Sequence, residues 1–521
     1  MKKEYANLVI DFAQKVYPWT EFKNIFIRGY AFRGDALLKG EQLAQHFHNV
    51  DAHSFKGKLC ELNGFFSVVV VNQESVLAAV DHLRSMPLFY TKTEGRWCIT
   101  DRLPVDEIIR RGIDGKSYNQ FSFALSVTGK DTVCKDFYQI EAGEMIILSS
   151  GETHHDYWWQ YAYAREFIEE ESAAMTHIEK GYLETFQRLI AVLDGRTAVI
   201  PLSGGHDSRL IAFYLKKLGY EKIIAYSYGR RENAESAIAE QVASCLGIPF
   251  FFVEYERKAA RKWAEQKLNG YLDFAGNGCS IPHFQDAYAV EQLCSRGLIP
   301  EDAVFIPGHT GDFIAGGHLL QRFFEKEEFT AEELYQAVLE KHFWANAHLQ
   351  DKDRTHVKQS ISELPYLRGY GSTLSAKEIA EAHERFDLME RQAKFILNSV
   401  RVYEYYGHEW LAPEFEIAQC QYWTQVGLPL RLNRALYMKY TQKLYPEELR
   451  AIPYAKGGFV KNLKYYISQL SIFPWTYVAH YMFIFVSIPE YFASVYIERN
   501  RSFNHWTFSR YKKMFQEKHI S

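Results

Sequence analysis

Two kinds of hydrophobic patterning divide the chain. Up to about residue 155, short apolar runs rich in β-branched and aromatic residues follow one another closely. They cover 65–71, 75–80, 97–100 and 144–148, and Asn72-Gln73-Glu74 makes a turn between the first two. Such spacing predicts strands of a layered, β-rich α+β unit. The composition between Tyr157 and Thr176 turns aromatic and acidic, with Glu166, Glu169, Glu170 and Glu171. This stretch reads as a linker with a solvated charged face, leading into a helix over 173–193.

Beyond residue 196 the period alternates between strand and helix. Strands are predicted at 198–202, 222–227, 249–253 and 303–306, and helices from the end of the loop after Ser208 through Leu218, at 234–246 and at 284–295. Alternation of this kind marks a doubly wound parallel α/β sheet, whose ligands bind at the carboxyl ends of strands. The expected organisation is a first domain over 1–160, a second over 161–465 and an aromatic-rich helical extension over 466–521.

Chemistry concentrates where the first of these strands meets its helix. The residues there are Leu202-Ser203-Gly204-Gly205-His206-Asp207-Ser208. Adjacent glycines allow a sharp turn and close backbone approach. Ser203, Ser208 and the free N–H groups of the helix start aim donors into one volume, where the helix dipole favours an anion. Phosphate or pyrophosphate suits that volume, and Asp207 then implies a bridging Mg2+. No Gly-Lys-Ser/Thr follows, so this is not a Walker loop. A second strand runs into Pro307-Gly308-His309-Thr310-Gly311-Asp312, followed by Gly316-Gly317-His318. Asp312 is expected to join Asp207 around the metal, since two acids on two loops clamp a metal–triphosphate better than one. His309 and His318 read as polar wall, because oxygen-rich magnesium sites rarely use histidine. Tyr228, at the end of the second strand, is placed for adenine or ribose contact.

The first loop resembles the pyrophosphate loop of enzymes that cleave ATP between its α and β phosphates. That group includes asparagine synthetases, β-lactam synthetases, GMP and NAD synthetases, and tRNA thiolases. The second loop resembles the asparagine synthetase pattern Ser-Gly-x-Gly-x-Asp-Glu-x-x-Gly-Gly-Tyr, with Pro307 for Ser and Phe313 for Glu. The resemblance implies ATP contacts from Leu202, Ser203, Gly204, Gly205, Asp207, Ser208, Tyr228, Pro307, Gly308 and Asp312, with Asp207 and Asp312 on the metal. Glu235 matches an acidic residue at a helix start, for which a dipole-favoured carboxylate is an equal reading.

Tyr406-Gly407-His408-Glu409-Trp410-Leu411-Ala412-Pro413 resembles Gly-x-Glu-x-Arg-x-Pro-Phe-x-Asp. It implies a catalytic Glu409 that orients or deprotonates the attacking amine. Leu411 replaces the Arg that would clamp a carboxylate substrate. The segment 450–459 resembles that of a late catalytic lysine, here Lys456, which would meet charge building on the phosphates. His206 and Arg209 stand where plain asparagine synthetases tend to have an aliphatic residue and Ser, a departure from ordinary asparagine formation.

The first part of the chain resembles the class II glutamine amidotransferase (Ntn-type) domain of asparagine synthetases. The likeness rests on Gly64-Phe65-Phe66-Ser67 and on Asp81-His82-Leu83-Arg84-Ser85-Met86-Pro87-Leu88-Phe89-Tyr90. Arg84 replaces a glycine of the pattern, and Val80 replaces an arginine. Lys2 occupies the place of the nucleophilic cysteine, so glutamine hydrolysis is not expected and the domain reads as a degenerate scaffold.

The implied reaction is AMP-forming amidation of a carboxylate, through an acyl-adenylate attacked by ammonia or an amine, with ATP and Mg2+. The carboxylate would belong to a small molecule, a peptide or a sugar. Nitrogen would come from free ammonia, a separate glutaminase, or an amine on the substrate itself, as in β-lactam synthetases and lasso-peptide cyclases. A tRNA-modifying enzyme and an inactive binding relative are the rivals.

Composition narrows this little further. The chain has 521 residues, 47% hydrophobic and 16% aromatic, with a formal net charge of −4. That charge supplies no overall basic field, so no nucleic-acid partner is expected. The 7 cysteines are scattered without a Cys-x-x-Cys pair, which fits a reducing, cytoplasmic setting. The start has no signal-peptide core. Residues 471–489 carry no charge, but Pro474, His480 and Pro489 interrupt them, and membrane insertion is not expected. A homodimer is left open.

Overall fold

A computed structural model describes residues 1–149, 152–229, 233–343 and 351–455. Three main sheets organise it. A five-stranded sheet has the order Lys2–Glu4, Leu8–Asp11, Arg96–Thr100, Phe89–Thr93, Phe137–Gln139. A seven-stranded antiparallel sheet is centred on Asn63–Val71, which pairs with Ile25–Arg33 on one side and Val76–Val80 on the other.

The two sheets face each other. Leu8, Ile10, Tyr90 and Ile99 of the first meet Phe26, Val69, Ala78 and Ile146 of the second. The opposite face of the seven-stranded sheet, with Phe66, Val68 and Val70, packs against Leu43, Phe55 and Leu59 of the helices Gly40–His46 and Ala52–Cys60. Strand Asn63–Val71 is therefore covered on both faces, and its run of apolar residues needs no alternation.

The third sheet is parallel throughout, in the order Phe250–Glu254, Ile223–Gly229, Ala198–Pro201, Val304–Phe305, Glu409–Trp410. The chain winds outward from Ala198–Pro201 to one edge, then crosses back to build the other. The reversal falls between Ala198–Pro201 and Val304–Phe305, so the loops after these two strands open side by side at the sheet's carboxyl edge. This is the crevice where doubly wound sheets hold ligands. The predicted strand over 303–306 is shorter, Val304–Phe305, and the predicted helix over 284–295 begins at Ala287.

The aromatic-acidic stretch is not a free linker. Glu166, Glu169 and Glu170 are exposed, as a solvated face requires, but Tyr161 and Tyr163 are buried and donate their hydroxyls to Glu384. Glu170 then caps helix Glu171–Leu193 by accepting from the N–H groups of Ser172 and Ala173.

The β layers and the parallel sheet meet through a core-like seam. One apolar cluster contains Phe65, Leu83 and Phe89 together with Val199, Phe305 and Trp410. The Tyr17 hydroxyl donates to the Trp410 carbonyl, and the Trp410 indole donates to Glu404 at 2.9 Å. Arg28 approaches the same Glu404 at 3.7 Å. Among the described residues no helix is long and apolar enough to cross a membrane. The stretch 471–489 and the extension 466–521 lie outside the described residues.

Candidate nucleotide site

The first loop leaves the sheet after Leu202, whose N–H donates to the Tyr226 carbonyl at 2.8 Å. It then closes on its own hydroxyls. Ser208 Oγ accepts from the Ser203 N–H at 3.1 Å and lies 3.2 Å from Ser203 Oγ, which accepts from the Gly205 N–H at 3.1 Å. Helix Asp207–Lys217 starts at once, and its N-cap His206 makes no side-chain capping bond. The first-turn N–H groups are thus left to serve an anion at the positive end of the dipole.

The second loop presses against the first. A Cβ on Gly308 would lie 2.6 Å from the Ser208 nitrogen, and one on Gly311 would lie 2.7 Å from the Asp207 carboxyl carbon. Only glycine permits this approach. It brings the Asp312 N–H to Asp207 Oδ2 at 3.3 Å, while Tyr437 donates to Asp207 Oδ1 at 2.9 Å. Burial and the Asp312 charge push the Asp207 carboxyl up to about 7. Burial acts on Asp312 in the same sense, but the His318 bond and charge and the Arg434 charge outweigh it and hold this carboxyl low.

Two acids brought together in a half-buried crevice raise the cost of ionising both, which a cation removes. Two carboxylates with remaining positions for water and phosphate oxygens fit magnesium well. His318 belongs to this wall. Its Nδ1 sits 2.6 Å from Asp387, and Nε2 3.7 Å from Asp312.

Arg434 was not legible as a site residue. It and Asn433 both hold left-handed backbone, at φ +63° and +55°, a strained state that tends to mark function. Its stem packs 3.1 Å from a Cβ position on Gly317, and its charge acts on both aspartates. Among the described residues its guanidinium makes no hydrogen bond or ion pair, which leaves it available to phosphate. Tyr228 ends its strand beside Gly229 and stacks on Tyr255 with ring centres 5.1 Å apart.

A latch from the far end of the described chain lies over the first loop. Arg209 donates to the carbonyls of Ile452 and Pro453 at 3.0 and 2.8 Å, and its guanidinium lies 4.1 Å from the Tyr454 ring centre. His206 stacks on the same ring at 3.6 Å. Burial and the charges of Arg434 and Arg209 lower the His206 imidazole to about 4, so it is neutral in that stack. The Ala455 N–H then bonds the Gly204 carbonyl at 2.9 Å. Lys456 follows directly in sequence and lies outside the described residues.

Glu409 does not join this constellation, and the expectation drawn for it is corrected. Its register partner is Val304, itself opposite Ala198, the first residue of its strand. The loop at Ser203 lies about 16 Å further along an extended chain. Glu409 instead pairs with Arg196 at 2.7 Å, at the amino end of the sheet. The acid that does approach the aspartates is Glu414, in the short helix Pro413–Phe415 beyond the fifth strand. It is 1% exposed, and the Tyr182 hydroxyl is the polar group that faces it, without a well-formed hydrogen bond between them. Burial first, then the Asp207 charge, raise it well above the ordinary range. Nothing local in the sequence distinguishes it from a surface glutamate.

The curated relatives matched by the chain include the tRNA-specific 2-thiouridylase MnmA of Bartonella quintana (strain Toulouse). It is 26% identical over 195 residues, 33% of this chain and 46% of that protein. The 7-cyano-7-deazaguanine synthase of Staphylococcus aureus (strain bovine RF122 / ET3-1) is 36% identical over 59 residues, 11% of this chain and 27% of that protein. The chain thus spans less than half the length of either. Among solved structures, the glutamine phosphoribosylpyrophosphate amidotransferase from B. subtilis aligns at 11% identity with a TM-score of 0.18, over 56% of this chain and 63% of that one. An allosteric regulatory enzyme of purine biosynthesis aligns at 9% identity with a TM-score of 0.19, over 46% of this chain and 62% of that one. The family model named Asparagine synthase matches residues 193–451, the segment that holds both loops, Arg209 and Arg434. Through that segment the chain belongs to the asparagine synthase family.

Proposed function

We propose that the protein is an AMP-forming amido-ligase that activates a carboxylate with ATP and passes the acyl group to ammonia or an amine. The observation that carries this reading is the contact between the two loops, which joins Asp207 and Asp312 beside a helix start rich in free N–H groups. In this reading Leu202, Ser203, Gly204, Gly205, Ser208, Pro307 and Gly308 line the phosphate cradle, and Tyr228 flanks the adenosine. Asp207 and Asp312 would hold Mg2+, which supplies positive charge against the leaving pyrophosphate. Arg434 neutralises the same charge from the opposite wall. Lys456, entering from Ala455, is proposed to act on the α-phosphate side. Holding both reactants in one cleft makes their encounter nearly intramolecular.

Leu411 in place of Arg argues against aspartate as the acid. The acyl acceptor in this reading is free ammonia, ammonia from a separate glutaminase, or an amine on the substrate itself. ATP–pyrophosphate exchange driven by candidate small-molecule, peptide and sugar acids tests the reading. Exchange with such an acid, requiring magnesium, supports it. Exchange that needs tRNA would instead favour a tRNA modifier, a reading prompted by the thiouridylase relatives. Absence of exchange with every acid and RNA tried, or of ATP binding with magnesium present, would overturn it.

A further inference from the structure

Arg84 stands where the amidotransferase pattern has glycine, and its backbone keeps the conformation glycine would take, φ +54°. The side chain turns into the seam between the β layers and the parallel-sheet part. It is 6% exposed, and its Nε is buried without a partner. One terminal nitrogen reaches Cys279 Sγ at 3.6 Å, and the guanidinium lies 5.3 Å from the Phe89 ring centre. No carboxylate lies within ion-pair distance of it among the described residues.

The space it enters is a cavity of about 10 Å³ lined by Arg84, Lys394, Arg401, Cys279, Asn277 and Asn398. That is the space within which the centre of a water-sized sphere can move, enough for a single small occupant. Lys394 already pairs with Glu390 at 2.6 Å. Arg401 pairs with Glu404, which Arg28 also approaches. Two buried cations therefore share one carboxylate, and Arg84 has none. A buried guanidinium without a counter-charge is strongly disfavoured. Replacing a glycine at a left-handed position with arginine adds backbone strain to that cost.

We infer that this cavity is a binding site for a compact monovalent anion of halide size, held by Arg84 with Arg401 at the junction of the two halves of the fold; the Lys394 ammonium, whose three N–H groups go to Val127, Gly129 and Glu390, adds only its charge. The asparagine side chains supply neutral donors, and the small central space favours a monatomic ion over a larger oxyanion. The site is independent of the nucleotide reading, so either can fail alone.

The test compares the full-length protein in sodium chloride or bromide with sodium gluconate at equal ionic strength. Halide is expected to raise the melting midpoint by on the order of 2 °C. Arg84→Gly, which suits the backbone at that position and should fold, is expected to abolish the difference. Anomalous diffraction from bromide-grown crystals should show a peak within hydrogen-bond reach of Arg84. An equal halide response in Arg84→Gly, or the absence of a bromide peak there, would overturn the assignment. So would a thiolate absorbance in halide-free buffer that disappears in Cys279→Ser, since the protein's own sulfur would then be the counter-ion.

Discussion

Asp312 donates its backbone N–H to the side chain of Asp207 across 105 residues of sequence, at 3.3 Å. The contact locks the second loop onto the first and places one acid from each on the same crevice. Loss of either acid should therefore disable the site while leaving the sheets intact. Asp207→Ala and Asp312→Ala are each expected to lower acid-driven ATP–pyrophosphate exchange by about 100-fold or more, with circular dichroism unchanged. Chelation of divalent metal should have the same effect on the unaltered protein. A loss of less than tenfold in both variants would separate the loops from the chemistry.

Gly311 and Gly308 set how near the loops can come. A methyl group at 311 meets the Asp207 carboxyl, and one at 308 meets backbone at Ser208. Gly308→Ala, with no flexible neighbour to yield, should cost about 1–3 kcal/mol in urea unfolding. Gly311→Ala should cost less, because a side chain can move, yet should weaken nucleotide binding at least as much. Isothermal titration with an ATP analogue and magnesium checks the ordering.

The latch by Arg209 positions backbone instead of touching phosphate. Arg209→Ala removes two charge-assisted bonds to the carbonyls of Ile452 and Pro453. It should raise the KM for ATP about tenfold, with partial rescue in Arg209→Lys. Tyr454→Ala, which leaves those carbonyls in place, should show a smaller effect. Equal KM values in all three variants would rule the latch out of nucleotide binding.

Glu409 separates the resemblance from the geometry. Its partner is Arg196, at the end of the sheet remote from the loops. Glu409→Gln is therefore expected to leave exchange within about threefold of the parent, and a semi-exposed ion pair of this kind is worth about 1 kcal/mol or less. Loss of two orders of magnitude in exchange, without loss of stability, would restore the catalytic role that the motif implies.

The β layers carry a pH-dependent element of their own. Burial and the neighbouring Glu144 charge push the Glu141 carboxyl up to about 8, while Tyr157 donates to it at 2.7 Å. The unfolded chain ionises near the ordinary glutamate range, so between there and pH 8 the native state holds the extra proton. Stability then falls as pH rises across that window, by at most about 1.4 kcal/mol per pH unit. Glu141→Gln should remove this slope. Its melting midpoint should overtake the parent's progressively from pH 5 to pH 8, and the two should run parallel above pH 9.

Local chemistry was readable in the sequence; convergence was not. Ser203, Gly204, Gly205 and Asp207 announce themselves because a strand–turn–helix loop is built from consecutive residues. The strand Asn63–Val71 was legible because burial on both faces leaves one unbroken apolar run. The fifth parallel strand, Glu409–Trp410, has two residues and no period to detect. Without its register, Glu409 fell on a motif position that the fold turns away from the crevice. Arg434, Glu414 and the contact of Ala455 with Gly204 depend on segments that meet only after the sheet has wound. Arg84 was visible as a departure from glycine, but its environment belongs to residues near 279 and 398.

Trp410 ties the β unit to the parallel sheet. Its ring centre lies 5.8 Å from that of Phe65 and 6.2 Å from that of Tyr17, and all three side chains are buried. The last parallel strand is thus roofed by the β unit and would be left bare without it. Detaching the β unit would therefore expose a wall of aromatic surface on the parallel sheet, so the two halves depend on each other for solubility as well as shape.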